Sequence, residues 1–303
     1  MTLDSLEIVK RAWRHVRRNR FLWPLAFFIA LAGGGAQGFS LWVQSPILKG
    51  LTGYSPIHRI GERITDFAGS HAVFWVVFIT IGVIVGLGVL VFSAFAQVSA
   101  IGAVAEVELG REGDLRSSLR WGRHSFVRYF ALIVCYLLVL AVVSFPVYVF
   151  TWAFRGGLVF PCLGWLVLGL GFLVVSVLAS IMLELSGRYL VLEDLGIYDS
   201  VIRAWVLIKE HWRDGIVTWL YVMVITLAGT IAMAVLLAIL GTPLVWIFTM
   251  ADRHHNALLI ALSVLAFFLA WAIAAALAGL FAITGSAVWT ITFLELEPAA
   301  YPG

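Results

Sequence analysis

Glu108-Leu109, Glu184-Leu185 and Glu295-Leu296 each stand where a long apolar run gives way to polar sequence. A carboxylate at such a boundary can pair with a base, help to hold a cation, or only stop a helix from sliding into hydrocarbon. In hydrocarbon a charge costs roughly 2.5–3.5 kcal/mol or more. The bases placed to answer these glutamates are Arg11, Arg120 and Arg203, which would complete an ion-pair collar with Glu108, Glu184 and Glu295. Glu106 lies beside the first of them. Ion pairing and plain boundary marking both stay open at this point.

Other chemistry is thin. Asp252-Arg253-His254-His255 offers carboxylate and imidazole, normal zinc ligands, but adjacent histidines lack the i, i+4 spacing of a helical site. His58 and His71 fall in polar gaps of the same kind, where histidine serves for solvation. There is no Ser-His-Asp arrangement, no phosphate loop after a strand and no His-Glu-x-x-His. Cys135 and Cys162 lie in or beside apolar runs without C-x-x-C spacing, so neither a disulfide framework nor a zinc site is expected. The expectation is a protein without enzymatic activity, cofactor or metal.

The elements that must position these charges are membrane helices. Of 303 residues 62% are hydrophobic and 12% charged, with mean hydropathy +1.01. No fold hides that much apolar surface from water, so lipid must cover part of it. At about 1.5 Å per residue, a core of about 30 Å needs roughly 20 apolar residues. Six runs reach that length: 21–43, 72–104, 130–152, 158–183, 216–250 and 258–294. Ala30-Leu31-Ala32 resembles a signal cleavage site, but the run continues to Val43 and reads as a first span. Gly241-Thr242-Pro243 is expected to bend or end the fifth run.

Sidedness follows from the bases. Lys10, Arg11, Arg14, Arg17, Arg18 and Arg20 precede the first run. Arg111, Arg116, Arg120, Arg123 and Arg128 occupy the second gap, and Arg188, Arg203, Lys209 and Arg213 the fourth. These fifteen of the twenty Lys and Arg residues fall on one side, which predicts cytoplasmic termini and a bacterial inner-membrane location. The net charge of +3 is too small to suggest nucleic acid.

The basic stretches are themselves patterned as helices. Arg11-Ala12-Trp13 and Arg203-Ala204-Trp205 are each followed by a base four residues after the tryptophan, Arg17 and Lys209. Leu6, Val9, Trp13 and Val16 make one apolar stripe; Ile197, Val201, Trp205, Ile208 and Trp212 make another. A middle copy over 114–128 carries Leu115, Leu119, Trp121 and Phe126, with Asp114 as its helix start. Together they predict an all-α, six-span bundle with cytoplasmic interfacial helices and a pseudo-threefold repeat over about 1–110, 111–187 and 188–303, within a single integral membrane domain. The interfacial helices would lie on the anionic inner leaflet, binding lipid, or pack on the bundle as connectors.

The basic N-terminal helix, the six runs and the connector Arg188-Tyr189-Leu190-Val191-Leu192-Glu193-Asp194-Leu195-Gly196 leading into an Arg-Ala-Trp helix resemble a broad group of bacterial six-span membrane proteins. That group is similar to the membrane domain fused to some glycerophosphodiester phosphodiesterases. The resemblance implies an architecture and not an activity, since the phosphodiesterase's catalytic and metal residues have no counterparts among these residues.

Ionisable groups are nearly absent from the middle of the runs, which counts against proton coupling. Gly33-Gly34-Gly35 with Gly38 in the first run, and Gly82 with Gly86 in the second, offer small faces for helix packing; the first cluster could instead mark a broken helix. The expected role is an accessory or scaffolding subunit with membrane-protein partners or a second copy of itself. The alternative is a transporter or lipid-handling protein with a cavity at the repeat interface.

Overall fold

The computed structural model describes residues 5–32, 72–111, 113–153, 160–253 and 257–297. Among these residues all regular structure is helical. In chain order the helices are α1 (Ser5–Arg18), α2 (Leu22–Ala32), α3 (Ala72–Glu108), α4 (Leu115–Ala153), α5 (Phe160–Leu192), α6 (Ile197–Glu210), α7 (Trp212–Arg253) and α8 (Ala257–Leu296). Five of them, α3, α4, α5, α7 and α8, are long and apolar enough to cross a membrane, so the chain is a multi-pass membrane protein. The first expected span, 21–43, is described only as the eleven-residue α2; its remainder, with Gly34 and Gly38, lies outside the described residues.

Three boundaries differ from the sequence expectation. The amphipathic stretch 114–128 and the run 130–152 are one helix, α4, because no breaker separates them. The run 158–183 continues as α5 to Leu192, so Arg188 to Leu192 belong to the helix and are buried rather than forming a connector. Gly241-Thr242-Pro243 does not end α7, which runs on to Arg253. A proline forfeits one backbone bond and can be accommodated in a long membrane helix when neighbouring groups re-satisfy the freed carbonyl.

Local signals account for the ends. Asp114 caps α4, accepting a hydrogen bond from the Leu115 amide at 2.7 Å. The last carbonyls of α1 are met by side chains: Asn19 Nδ2 donates to the His15 carbonyl at 3.0 Å and Trp23 Nε1 to that of Val16 at 3.2 Å.

The two Arg-Ala-Trp helices bury the same positions, a face that overlaps the apolar stripe only at Val16 and Ile208. In α1 the buried residues are Ile8, Ala12 and Val16; in α6 they are Ser200, Ala204, Leu207 and Ile208. Trp13 and Trp205 stay 41% and 40% exposed. At 100° per residue the buried face is turned by roughly 80° from the centre of the apolar stripe. The alanine is what lets each helix approach closely, and a tryptophan at the contact would hold it off. In the middle copy Ser118, Gly122, Ser125 and Tyr129 are buried instead of Leu115, Leu119, Trp121 and Phe126. Small side chains again mark the contact.

Internal contacts divide the chain into two units. The first comprises Met1–Ala12, Val98–Tyr221 and Ala287–Gly303. Inside it glycines give room to rings: a Cβ on Gly102 would stand 2.4 Å from the Trp121 ring, and one on Gly187 would stand 2.7 Å from that of Tyr129. The second comprises Trp13–Gln97 and Val222–Ser286. Its core joins Met233 and Leu237 of α7 to Ala274, Ala275 and Ala278 of α8, flanked by Phe27, Phe267 and Trp271. Gly279 meets the backbone of α2, its missing Cβ falling 2.3 Å from the Ala26 carbonyl oxygen, and Gly229 faces the Phe281 ring.

Gly82 and Gly86 meet no neighbouring helix among the described residues. Nothing among the described residues lies within 4 Å of a Cβ at either site. Intra-chain packing instead uses glycines opposite rings or backbone, because between spans the gain comes from van der Waals contact at close approach.

Gly279→Ala is therefore expected to lower the thermal unfolding midpoint in detergent, by the equivalent of about 1–3 kcal/mol of overpacking. Gly82→Ala should leave it unchanged or raise it slightly, since alanine is the better helix former. Equal midpoints for the two variants would contradict the α2–α8 contact.

Candidate functional site

Six carboxylates of the first unit stand at the C-terminal ends of α3, α5 and α8. A helix C-terminus already carries about half a negative charge, so a carboxylate there is unfavourable until a cation answers it. Three ends load themselves with acid in this way: Glu106 and Glu108 on α3, Glu193 and Asp194 just beyond α5, Glu295 and Glu297 at the end of α8. Arginines from other helices answer four of the six carboxylates.

Arg11 of α1 answers two ends together. Its Nη1 donates to Glu108 Oε1 at 2.8 Å, and its Nη2 donates to Glu295 Oε1. Burial acts to weaken the charge on Arg11, but its hydrogen bond to Glu295 and the fields of both carboxylates outweigh it and hold the guanidinium more firmly protonated than usual. Glu108 is the more buried partner, 14% exposed against 31% for Glu295.

Arg203 of α6 stands in its helix where Arg11 stands in α1, and does the same for α5. Its Nη1 donates to Glu193 Oε2 at 2.6 Å. Burial pushes the Glu193 carboxyl up, Arg203 pulls it down, and Glu297 adds to the rise. Asp194 sits in the left-handed region at φ 56°, as a residue just past a helix end does. Arg128 of α4 donates from Nη2 to its carboxylate and from Nη1 to its carbonyl at 3.3 Å, and His124 Nε2 lies 3.3 Å from Oδ1. The Arg128 hydrogen bond holds the Asp194 carboxyl below the usual carboxylate range.

Neutral donors complete the cluster. Trp121 Nε1 donates to Glu106 Oε1 at 2.9 Å, and the Ser117 hydroxyl lies 2.8 Å from Glu106 Oε2. Tyr189 donates to Glu297 Oε1 at 2.9 Å while its ring meets Phe293 edge-on at 4.8 Å.

The six collar residues are thus distributed over separate contacts. Glu108 and Glu295 meet on Arg11. Glu184 turns to Arg188 one helical turn along α5, and Arg188 is fully buried with its Nη1 also donating to the Glu184 carbonyl at 2.6 Å. Arg203 turns to Glu193, and Arg120 is exposed. The sequence reading missed Glu193, Asp194 and Arg128 as partners; the signal present was the shared Arg-Ala-Trp, which put Arg203 in the role of Arg11. Of the loop histidines, His58, His71, His254 and His255 lie outside the described residues. Chemically the cluster is a set of committed ion pairs that fasten helix ends together.

No protein-family model, curated protein or solved structure matches the chain.

Removing the Arg11 guanidinium leaves two carboxylates at two helix ends. Arg11→Gln is expected to cost about 1–2 kcal/mol of stability, the range for charge-assisted bonds discounted for partial exposure. Thermal unfolding in detergent reads this, and Glu108→Gln should cost more than Glu295→Gln because Glu108 is more buried. The Asp194 contact has an acid limb. A carboxyl whose folded-state pKa is depressed contributes stability above its unfolded value, near 3.9, and loses it as pH falls through the lower folded value. Asp194→Asn should lower the neutral plateau of the stability–pH curve and flatten its acid limb.

Proposed function

We propose that this chain is a six-span protein of the bacterial inner membrane with both termini cytoplasmic. It is built from three related units and serves, without catalysis, as an accessory or scaffolding subunit of a membrane assembly. The observation that carries the reading is the state of α3. Every residue from Ile79 to Leu87 is exposed, and Gly82-x-x-x-Gly86 faces open space among the described residues. An apolar helix with such a small-residue groove is suited to receive a partner helix, because two glycines a turn apart let backbones come into contact.

Several polar side chains of the spans support the same reading, although the Ser125, Ser176 and Thr292 hydroxyls are buried without a partner among the described residues. Thr230, Ser263 and Thr284 donate to carbonyls of their own helices, and Gln97 Nε2 donates to the Ser286 hydroxyl at 3.2 Å. Hydrogen bonds spent in this way are not offered to a solute. The likeness to the membrane domain fused to some glycerophosphodiester phosphodiesterases belongs with this proposal as an architecture, not as an activity.

Extraction of native membranes in mild detergent is expected to bring down the chain with one stoichiometric partner, either another membrane protein or a second copy. Gly82→Leu with Gly86→Leu should abolish that association and leave the unfolding midpoint of the isolated chain in place. A chain that is monomeric by cross-linking in native membranes would overturn the reading.

A further inference from the structure

Helix α6 has a second apolar face that the fold does not use. Its buried residues, Ser200, Ala204, Leu207 and Ile208, lie on one side. On the opposite side Tyr198, Ile202, Trp205 and Val206 are exposed by 77%, 43%, 40% and 47%. At 100° per residue these four and Lys209 fall within a band of roughly 100°. Asp199, Arg203 and Glu210 lie together on one flank, clear of its centre. Only His211 separates α6 from α7, and there the band continues as Trp212, Arg213, Ile216 and Leu220, all exposed.

Two cations are fixed on this band by rings. Lys209 Nζ stands 5.0 Å from the centroid of the Trp205 ring, and Arg213 Cζ stands 5.3 Å from that of Trp212. Within about 6 Å a cation is attracted to the face of an indole. Indole itself settles at the headgroup level of a bilayer, where its body is apolar and its N–H is wet. A base held over an indole in this way is suited to meet a phosphate at headgroup level. Below it, Ile216 and Leu220 present an apolar track on a helix that crosses the membrane.

We propose that this band is a seat for an anionic phospholipid. Its phosphate-bearing headgroup meets Lys209 and Arg213, its glycerol region meets Trp205 and Trp212, and its acyl chains run along Ile216 and Leu220. Two features select lipid as the occupant: the continuity of the band with the surface of a spanning helix, and the positive charge that complements an anionic headgroup. The assignment to the inner leaflet rests on the cytoplasmic location proposed above for α6; the lipid preference does not.

The test uses the full chain in nanodiscs of phosphatidylcholine doped with phosphatidylglycerol, with the retained lipids read by native mass spectrometry. The wild-type chain should retain phosphatidylglycerol preferentially. A base near an anionic surface contributes about fivefold in affinity, so Lys209→Gln with Arg213→Gln should reduce the preference roughly thirtyfold. Trp205→Phe with Trp212→Phe keeps the apolar bodies and should reduce it in part. Arg120→Gln with Arg123→Gln removes equal charge from exposed positions of α4 and should leave it intact. Equal retention of the two lipids by the wild type, or an equal loss in the α4 control, overturns the seat. Asp199→Cys labelled by an impermeant reagent from outside intact cells would overturn the sidedness and leave the lipid preference standing, so the two failures are distinguishable.

Discussion

Helices surrounded by hydrocarbon gain little by hiding apolar side chains from one another, because lipid is as apolar as leucine. What holds them must come from close contact and from polar links that lipid cannot offer. The closest approaches in this chain involve glycines. Gly102 and Gly187 admit the rings of Trp121 and Tyr129 in one unit, and Gly279 and Gly229 admit the Ala26 backbone and Phe281 in the other. Where a helix makes no such contact among the described residues, as in α3 from Ile79 to Leu87, it stands exposed on every face.

The polar links are concentrated where the helices leave hydrocarbon. Acidic side chains accumulate at the C-terminal ends of α3, α5 and α8, where the helix dipole disfavours them. Arg11 and Arg128 turn that cost into cross-links between segments far apart in sequence, and Arg203 ties α6 back to the end of the preceding α5. Arg11 and Arg203 occupy the same place in two similar helices, and beside each an alanine is buried while a tryptophan is left outside. One side of each helix is thus used for fastening, while its tryptophan stays partly exposed, the ring of Trp13 lying 6.0 Å from the Phe281 ring.

Much of this was legible before any coordinates. The long apolar runs announce membrane helices, and five of the six expected spans correspond to helices of spanning length. Asp114 declares a helix start, and the Arg-Ala-Trp repetition puts Arg11 and Arg203 in equivalent roles. The glutamate boundaries were visible, but their partners were not. Glu184 turned to Arg188 rather than to an interfacial helix, and Gly82 with Gly86 proved unpacked among the described residues.

Which segments belong in lipid and where charge must gather can be read along the chain, because both follow from the transfer cost of each residue taken alone. Tertiary structure decided which face of each amphipathic helix is buried and which arginine meets which glutamate. Hydrophobicity makes Trp13 and Trp205 the natural centre of a buried stripe, whereas close packing rewards Ala12 and Ala204. Contact between helices depends on how near two backbones can come. That is a property of the pair, and neither sequence segment contains it alone.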